Sequence, residues 1–310
     1  MKTYTLPKTD VVAPRIISGQ MRITDKSSEA IRALYEAARA GGVNYFDHAD
    51  IYGNDWHQCE RKFADALDLS SLERDEIILQ TKCGIIRGEG YYDLSYDHIM
   101  KQVDGSLDAL KTDYIDFLLL HRPDALVEPE EVARAFDDLH RSGKVRHFGV
   151  SNHTPRQIDV LKTAVTQPLV INQLQLSLTN CPIVAQGIAS NMARESQSVV
   201  IDGGGVLDYC RANRITVQAW SPFQARFFDG TFLGNPQFAA LNRTIARLAK
   251  SYGVAEEAIV ASWITRHPAK MQVVLGTTTP ARLQAVAEGT VELTRKEWYE
   301  LFRAADHIVP

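Results

Sequence analysis

Short runs of β-branched and aliphatic residues alternate with longer amphipathic stretches along nearly the whole chain. Eight such runs, at 15–18, 43–46, 77–80, 115–120, 145–150, 169–172, 215–219 and 272–275, have the length and composition of buried strands. Between them the spacing turns helical. In 27–39, Ala30, Ile31, Leu34 and Ala38 share one face, with Ser28 the expected cap and Gly41-Gly42 the stop. In 97–110, Ile99, Val103, Leu107 and Leu110 do the same. The stretch 129–141 opens on a proline at the first helical position and stops near Gly143. A long helix is expected over 236–251, closed by Gly253, and further helices over 255–266, 280–288 and 294–304.

This alternation predicts a parallel sheet covered by helices. Eight repeats favour closure into a (β/α)₈ TIM barrel over an open doubly wound sheet. No linker or low-complexity tract divides the chain, so one domain over 1–310 is expected. Two segments break the rhythm. One is 174–205, which carries the run Asp202-Gly203-Gly204-Gly205. The other is 221–235, with Phe223, Phe227, Phe228 and Phe232. Loops this long in compact domains tend to be functional or mobile.

Composition narrows the function classes. The 310 residues are 45% hydrophobic and 23% charged, as in a packed globular chain. A formal charge of −4 gives no basic excess for nucleic acid or an anionic membrane surface. No apolar run approaches the roughly 18 residues of a membrane span, and the N-terminus has no apolar leader segment. The cytoplasm is the expected compartment. Cys59, Cys83, Cys181 and Cys210 show neither C-x-x-C nor zinc-finger spacing, so free thiols and no metal are expected. His48 and Asp50 would supply two metal ligands without a third. The 202–205 run lacks the lysine-serine end of a phosphate loop.

The informative pattern is positional. Distinctive polar residues follow nearly every expected strand: Asp47-His48-Ala49-Asp50-Ile51-Tyr52-Gly53, Lys82, His121-Arg122-Pro123-Asp124, Ser151-Asn152-His153, Asn172-Gln173, Trp220-Ser221-Pro222 and Gly276-Thr277-Thr278. In a barrel all these ends meet at one mouth, where active sites sit. Asp47, Tyr52, Lys82 and His121 then make a chemical unit. A phenol with a pKa near 10 is a slow proton donor at neutrality, and a neighbouring Lys82 ammonium would lower that value. Asp47 would orient Lys82, and His121 would orient a substrate oxygen. Such a group can protonate a carbonyl oxygen while hydride reaches the carbon.

At these residues the chain resembles the aldo-keto reductase superfamily. The resemblance is carried by Phe46-Asp47-His48-Ala49-Asp50-Ile51-Tyr52-Gly53, Thr81-Lys82-Cys83-Gly84, Leu119-Leu120-His121-Arg122-Pro123-Asp124, the stretch from Gly143 to Asn152, Asn172-Gln173, Ala219-Trp220-Ser221-Pro222-Phe223 and the stretch from Gly276 to Leu283. These blocks stand in family order. The run around His48 and Asp50 looks like a bacterial-type predicted oxidoreductase branch. The resemblance implies the barrel, NADPH as cofactor with NADH as the alternative, a small-molecule carbonyl substrate, and the tetrad Tyr52, Asp47, Lys82 and His121. It implies nicotinamide contacts from Ser151, Asn152 and Gln173, and stacking by Trp220. Ser221 and Phe223 would lie along the pyrophosphate. Gly276, Thr277 and Thr278 would cradle phosphate, and Arg282 would face the adenosine 2′-phosphate. Two departures bear on the cofactor: Gly276 replaces a lysine, and Val286 an asparagine, that many members carry. Phe227 and Phe228 replace a glycine-rich segment.

Read singly, each residue has a structural alternative. Asp47 and Lys82 make a buried ion pair, His121 a structural histidine, Tyr52 a half-buried aromatic, Trp220 a core residue and Arg282 an exposed first-turn residue. Arg122 and Asp124 could pair at the rim. Their meeting at one mouth favours chemistry. A cofactor-binding regulatory or sensor protein on the same scaffold stays open, as does a barrel isomerase or aldolase using Lys82 as a Schiff base. Specificity is expected from 84–96, 174–205 and 221–235, with Tyr91, Tyr92, Phe227 and Phe228 forming an aromatic pocket. Oligomeric state, monomer or homo-oligomer, is not legible.

Overall fold

The computed structural model describes residues 2–189, 205–225 and 229–309. The expectations placed on 202–204, Phe227 and Phe228 lie outside the described residues. A hairpin of β1 (Thr3–Thr5) and β2 (Val12–Pro14) precedes β3 (Ile16–Gly19), β4 (Tyr45–Asp47), β5 (Ile78–Cys83), β6 (Ile115–Leu120), β7 (Val145–Ser151), β8 (Leu169–Gln175), β9 (Thr216–Trp220) and β10 (Gln272–Leu275). The last eight are parallel and closed into a barrel, β10 pairing with both β9 and β3. Around it lie α1 (Ser28–Ala40), α2 (Gln58–Leu67), α3 (Ser71–Asp75), α4 (Tyr96–Leu110), α5 (Pro129–Arg141), α6 (Pro155–Leu161), α7 (Pro182–Ile188), α8 (Val206–Ala212), α9 (Ala239–Tyr252), α10 (Glu256–Thr265), α11 (Pro280–Gly289) and α12 (Arg295–Ala304). This is the (β/α)₈ architecture that the alternation predicts. No helix among the described residues is long and apolar enough to cross a membrane.

Strand alternation divides the core in two. Phe46, Leu79, Leu118 and Phe148 face outward and pack with Ile31, Phe63 and Phe136 of the surrounding helices. Phe136 and Phe148 stack at 4.1 Å between ring centroids. Ile17, Tyr45, Ile78, Phe117, Leu119 and Ile171 face inward and form a second cluster with Leu6 and Ala13. The hairpin therefore plugs the end of the barrel where the strands begin, which leaves the opposite mouth for a ligand. Gly149 marks the tightest strand contact. A Cβ there would meet the Ile171 carbonyl oxygen at 2.8 Å and Leu119 Cδ2 at 2.7 Å.

Several local expectations shift. Ser27, not Ser28, caps α1, because its side chain accepts the Ala30 N–H. The long helix expected from Pro236 breaks into a 3₁₀ turn (Pro236–Phe238) and α9, with Asn235 capping the turn. β5 continues through Cys83, so Lys82 lies inside the strand rather than after it. β8 likewise extends to Gln175, and α7 occupies part of the long segment that follows.

Candidate active site

The strand register builds the site. Asp47 on β4 stands opposite Gln80 on β5 and beside Gly19 on β3. Two residues on, Lys82 points into the barrel on the same face as Gln80. Lys82 is fully buried and Asp47 nearly so. Lys82 Nζ lies 2.8 Å from the Asp47 carboxylate, 2.7 Å from the His48 carbonyl oxygen and 3.0 Å from Tyr52 Oη. An ammonium has three N–H donors. All three are thereby engaged, which is what a charge in a dry interior requires.

Asp47 also receives Nε2 of Gln80 at 2.5 Å and of Gln173 at 3.0 Å. Both amides donate to Gln218 Oε1 as well, at 2.9 and 3.1 Å. Gln218 donates on to Gln272, whose Nε2 reaches the Pro14 carbonyl of β2. A column of four buried glutamines therefore links Asp47 to the N-terminal plug. The sequence reading missed it. Single glutamines within apolar strands carry no periodic signal, and only closure of the barrel makes them neighbours.

Electrostatics follow from burial. Burial works against the Lys82 ammonium, but the Asp47 carboxylate and Tyr52 more than offset it, and its pKa is raised. The expectation for Tyr52 is corrected. Burial pushes the phenol above its ordinary value, and the Lys82 ammonium recovers only part of that rise. Tyr52 is thus a neutral phenol throughout the physiological range. His121 sits with its ring edge-on to Tyr52 at 5.9 Å. Burial, with Lys82 and Arg122 nearby, holds it well below the usual histidine range, so the ring is neutral.

These groups open into one cavity of about 1160 Å³. Asp47, Tyr52, His121, Ser151, Asn152, Gln173, Trp220, Ser221, Phe223, Gly276, Thr277 and Arg282 line it. Lys82 lies behind Tyr52, and Thr278 is not among the lining residues. Trp220 Nε1 donates to Asn152 Oδ1, and Asn152 Nδ2 to Ser151 Oγ. Asn152 and Ser221, each just past a strand, have positive φ of 60° and 53°. Such backbone strain concentrates at functional sites. Gln173 has both amide hydrogens engaged, so it presents only Oε1 to a ligand. Sequence reasoning also missed Arg22, Asp25 and Glu257 in the lining. Arg22 and Asp25 sit in the loop after β3, and Glu257 reads as an ordinary first-turn acid of a helix. Tyr91 and Tyr92 are exposed and stand outside the lining, so no aromatic pocket forms from them. Arg122 and Asp124 do not pair. The Asp124 carboxylate takes the Leu94 and Leu126 N–H groups instead.

A second polar cluster lies on the outer side of β5. Glu60 is buried and receives Thr81 Oγ1, Ser106 Oγ and the His57 ring. His57 presses on α4 so closely that a Cβ on Gly105 would sit 2.4 Å from its Nε2. Among the described residues neither His48 nitrogen has a hydrogen-bond partner. Burial lowers the His48 pKa to about 4 and raises that of Asp50 well above normal. His153 is likewise buried and lowered to about 4. Both histidines are neutral when folded and take up a proton near pH 6.5 when unfolded. Unfolding therefore binds protons, and stability falls as pH drops from 6.5 towards 4, by roughly 3 kcal/mol per histidine at the acid limit. Urea midpoints at pH 7 and pH 4.5 check this. His48→Phe should flatten the slope, whereas an equal slope in the variant would refute the assignment.

The chain has relatives among known proteins. A protein described as 6-dehydroglucose reductase from Agrobacterium fabrum is 35% identical over 304 residues, covering 94% of each chain. Oxidoreductase YdhF of Escherichia coli is 34% identical over 301 residues, covering 94% of this chain and 93% of its own. Among solved structures, the thermostable aldo-keto reductase Tm1743 superposes with a TM-score of 0.77 at 22% identity, over 98% of this chain and all of its own, which speaks for the fold. The profile of the Aldo/keto reductase family matches residues 15–305. The chain belongs to the aldo/keto reductase family of NAD(P)H-dependent oxidoreductases that act on carbonyl groups.

Proposed function

We propose that this enzyme reduces the carbonyl of a small hydroxylated aldehyde with NADPH, Tyr52 acting as general acid, and that it runs the matching alcohol oxidation in reverse. One observation carries this reading: the Lys82 ammonium donates to Tyr52 Oη at 3.0 Å. The phenol oxygen is then an acceptor on its inner side, and its own hydrogen is free to point into the cavity. As that proton leaves, the ammonium stabilises the phenolate in place. Asp47 keeps Lys82 charged and aimed. The neutral His121 ring offers one N–H to hold the substrate oxygen.

The cofactor's chemistry fits the lining. Gln173 Oε1, Ser151 and Asn152 would hold a carboxamide, Trp220 would stack against the ring, and Arg22 and Arg282 supply positive charge for phosphates. Bound nicotinamide supplies the hydride. The substrate class rests on the cavity beside Tyr52. Arg122 lines it and has no hydrogen bond or ion pair among the described residues, and Asn54 lines it too. Both suit a substrate rich in hydroxyl groups, in line with the relative named 6-dehydroglucose reductase.

Nucleotide oxidation should be followed with hydroxylated aldehydes, including a hexose oxidised at its terminal carbon, beside apolar aldehydes such as benzaldehyde. The hydroxylated set is expected to give the higher kcat/KM. A preference for benzaldehyde would overturn the substrate class. Nucleotide binding without turnover of any carbonyl would favour a sensor role instead.

A further inference from the structure

The cofactor reading places Arg282 at the adenosine 2′ position, and the present inference rests on it. Arg282 stands in the first turn of α11, and Glu257 in the first turn of α10. Arg282 Nε lies 3.1 Å from Glu257 Oε1. Both residues line the large cavity, so the carboxylate occupies the same end of the site as the guanidinium. Gly276, at the end of β10, offers no side chain there. Arg22 Nη1 instead donates to the Gly276 carbonyl oxygen at 3.3 Å. Arg22 also lies where a Cβ on Gly276 would point, 3.4 Å from it.

We infer that Glu257 sets the nucleotide preference by competing with the 2′-phosphate for Arg282. A 2′-phosphate adds nearly two negative charges at a point already held by a carboxylate. A phosphate held by the terminal nitrogens while Nε stays on Glu257 must sit close to a like charge, and one that takes Nε as well must displace the carboxylate. A ribose with a free 2′-hydroxyl meets no such obstacle, because Glu257 can accept its hydrogen bond. Selectivity is a difference of two affinities, and repulsion of one ligand shapes it as much as attraction to the other. The enzyme therefore accepts NADH alongside NADPH, and the carboxylate rather than the arginine holds the two affinities close together.

Titration of NADPH and NADH into the purified enzyme, followed by quenching of tryptophan fluorescence, tests this without relying on turnover. Glu257→Gln should tighten NADPH relative to NADH by roughly two- to fivefold at low salt, the scale of one surface charge interaction. The gain should shrink at high ionic strength. Arg282→Ala should weaken NADPH selectively, and in the double variant the effect of Glu257→Gln should vanish. An equal change for both nucleotides in Glu257→Gln, or none, would overturn the inference while leaving the cofactor reading intact. Wild-type enzyme that binds neither nucleotide would sink both.

Discussion

Tyr52→Phe is expected to lower carbonyl reduction roughly 10²- to 10⁴-fold, the scale of a lost general acid, with nucleotide affinity unchanged. The substitution removes one oxygen and little else. The ring keeps its edge-on contact with His121 and its place beneath the Lys82 ammonium, 4.9 Å from the ring centroid. Lys82 keeps its bonds to Asp47 and the His48 carbonyl. The fall should therefore appear in kcat rather than in KM for the carbonyl, because proton donation belongs to the transition state. The wild-type pH profile should agree. Reduction needs the protonated phenol, and burial holds the Tyr52 pKa above its ordinary value near 10. Reduction should accordingly hold through neutral pH and fall only in the alkaline range. A Tyr52→Phe enzyme retaining a tenth or more of its rate would rule Tyr52 out as the general acid.

The barrel was legible because its signal is periodic. The strands are short, largely apolar runs, and α1, α4 and α5 each bury a single stripe. What escaped were elements whose stabilising contacts are tertiary. α2 buries Glu60, a charged residue that its own helix cannot explain, and only Thr81, His57 and Ser106 account for it. α6 is only seven residues long, too short to show a helical stripe, although its capping box between Thr154 and Gln157 is local. The plug β1–β2 shows no run long enough to read as strand. At the site, the tetrad and most of the cavity lining were legible because polar residues at strand ends must share the barrel mouth. The glutamine column and the Glu257–Arg282 pair were not, since each joins residues far apart in sequence. The sign of the Tyr52 shift was misjudged for a related reason. Sequence shows the neighbouring lysine but not the depth of burial that outweighs it.

The same depth makes the Lys82–Asp47 pair a stability element as well as a chemical one. Asp47→Leu should destabilise the enzyme by roughly 3–5 kcal/mol, because it leaves the buried ammonium with only the His48 carbonyl and Tyr52 as partners. Lys82→Met alone should cost less, since Gln80 and Gln173 still donate to the Asp47 carboxylate. The double variant should recover about half of the Asp47→Leu loss. It removes both charges, and what remains is the cost of two amides that have lost one acceptor, roughly 1–3 kcal/mol. All three proteins should be inactive, so recovery of stability without recovery of rate separates the two roles. The pH dependence has a fixed sign. The Lys82 pKa is raised in the folded state, so the pair's contribution is complete below the unfolded value near 10.5 and is lost as pH rises through the folded one. Urea midpoints of the four proteins at pH 7 form a double-mutant cycle that reads the coupling directly. Additive losses, with the double variant the least stable of the four, would mean that Asp47 acts through the glutamine column and not through Lys82.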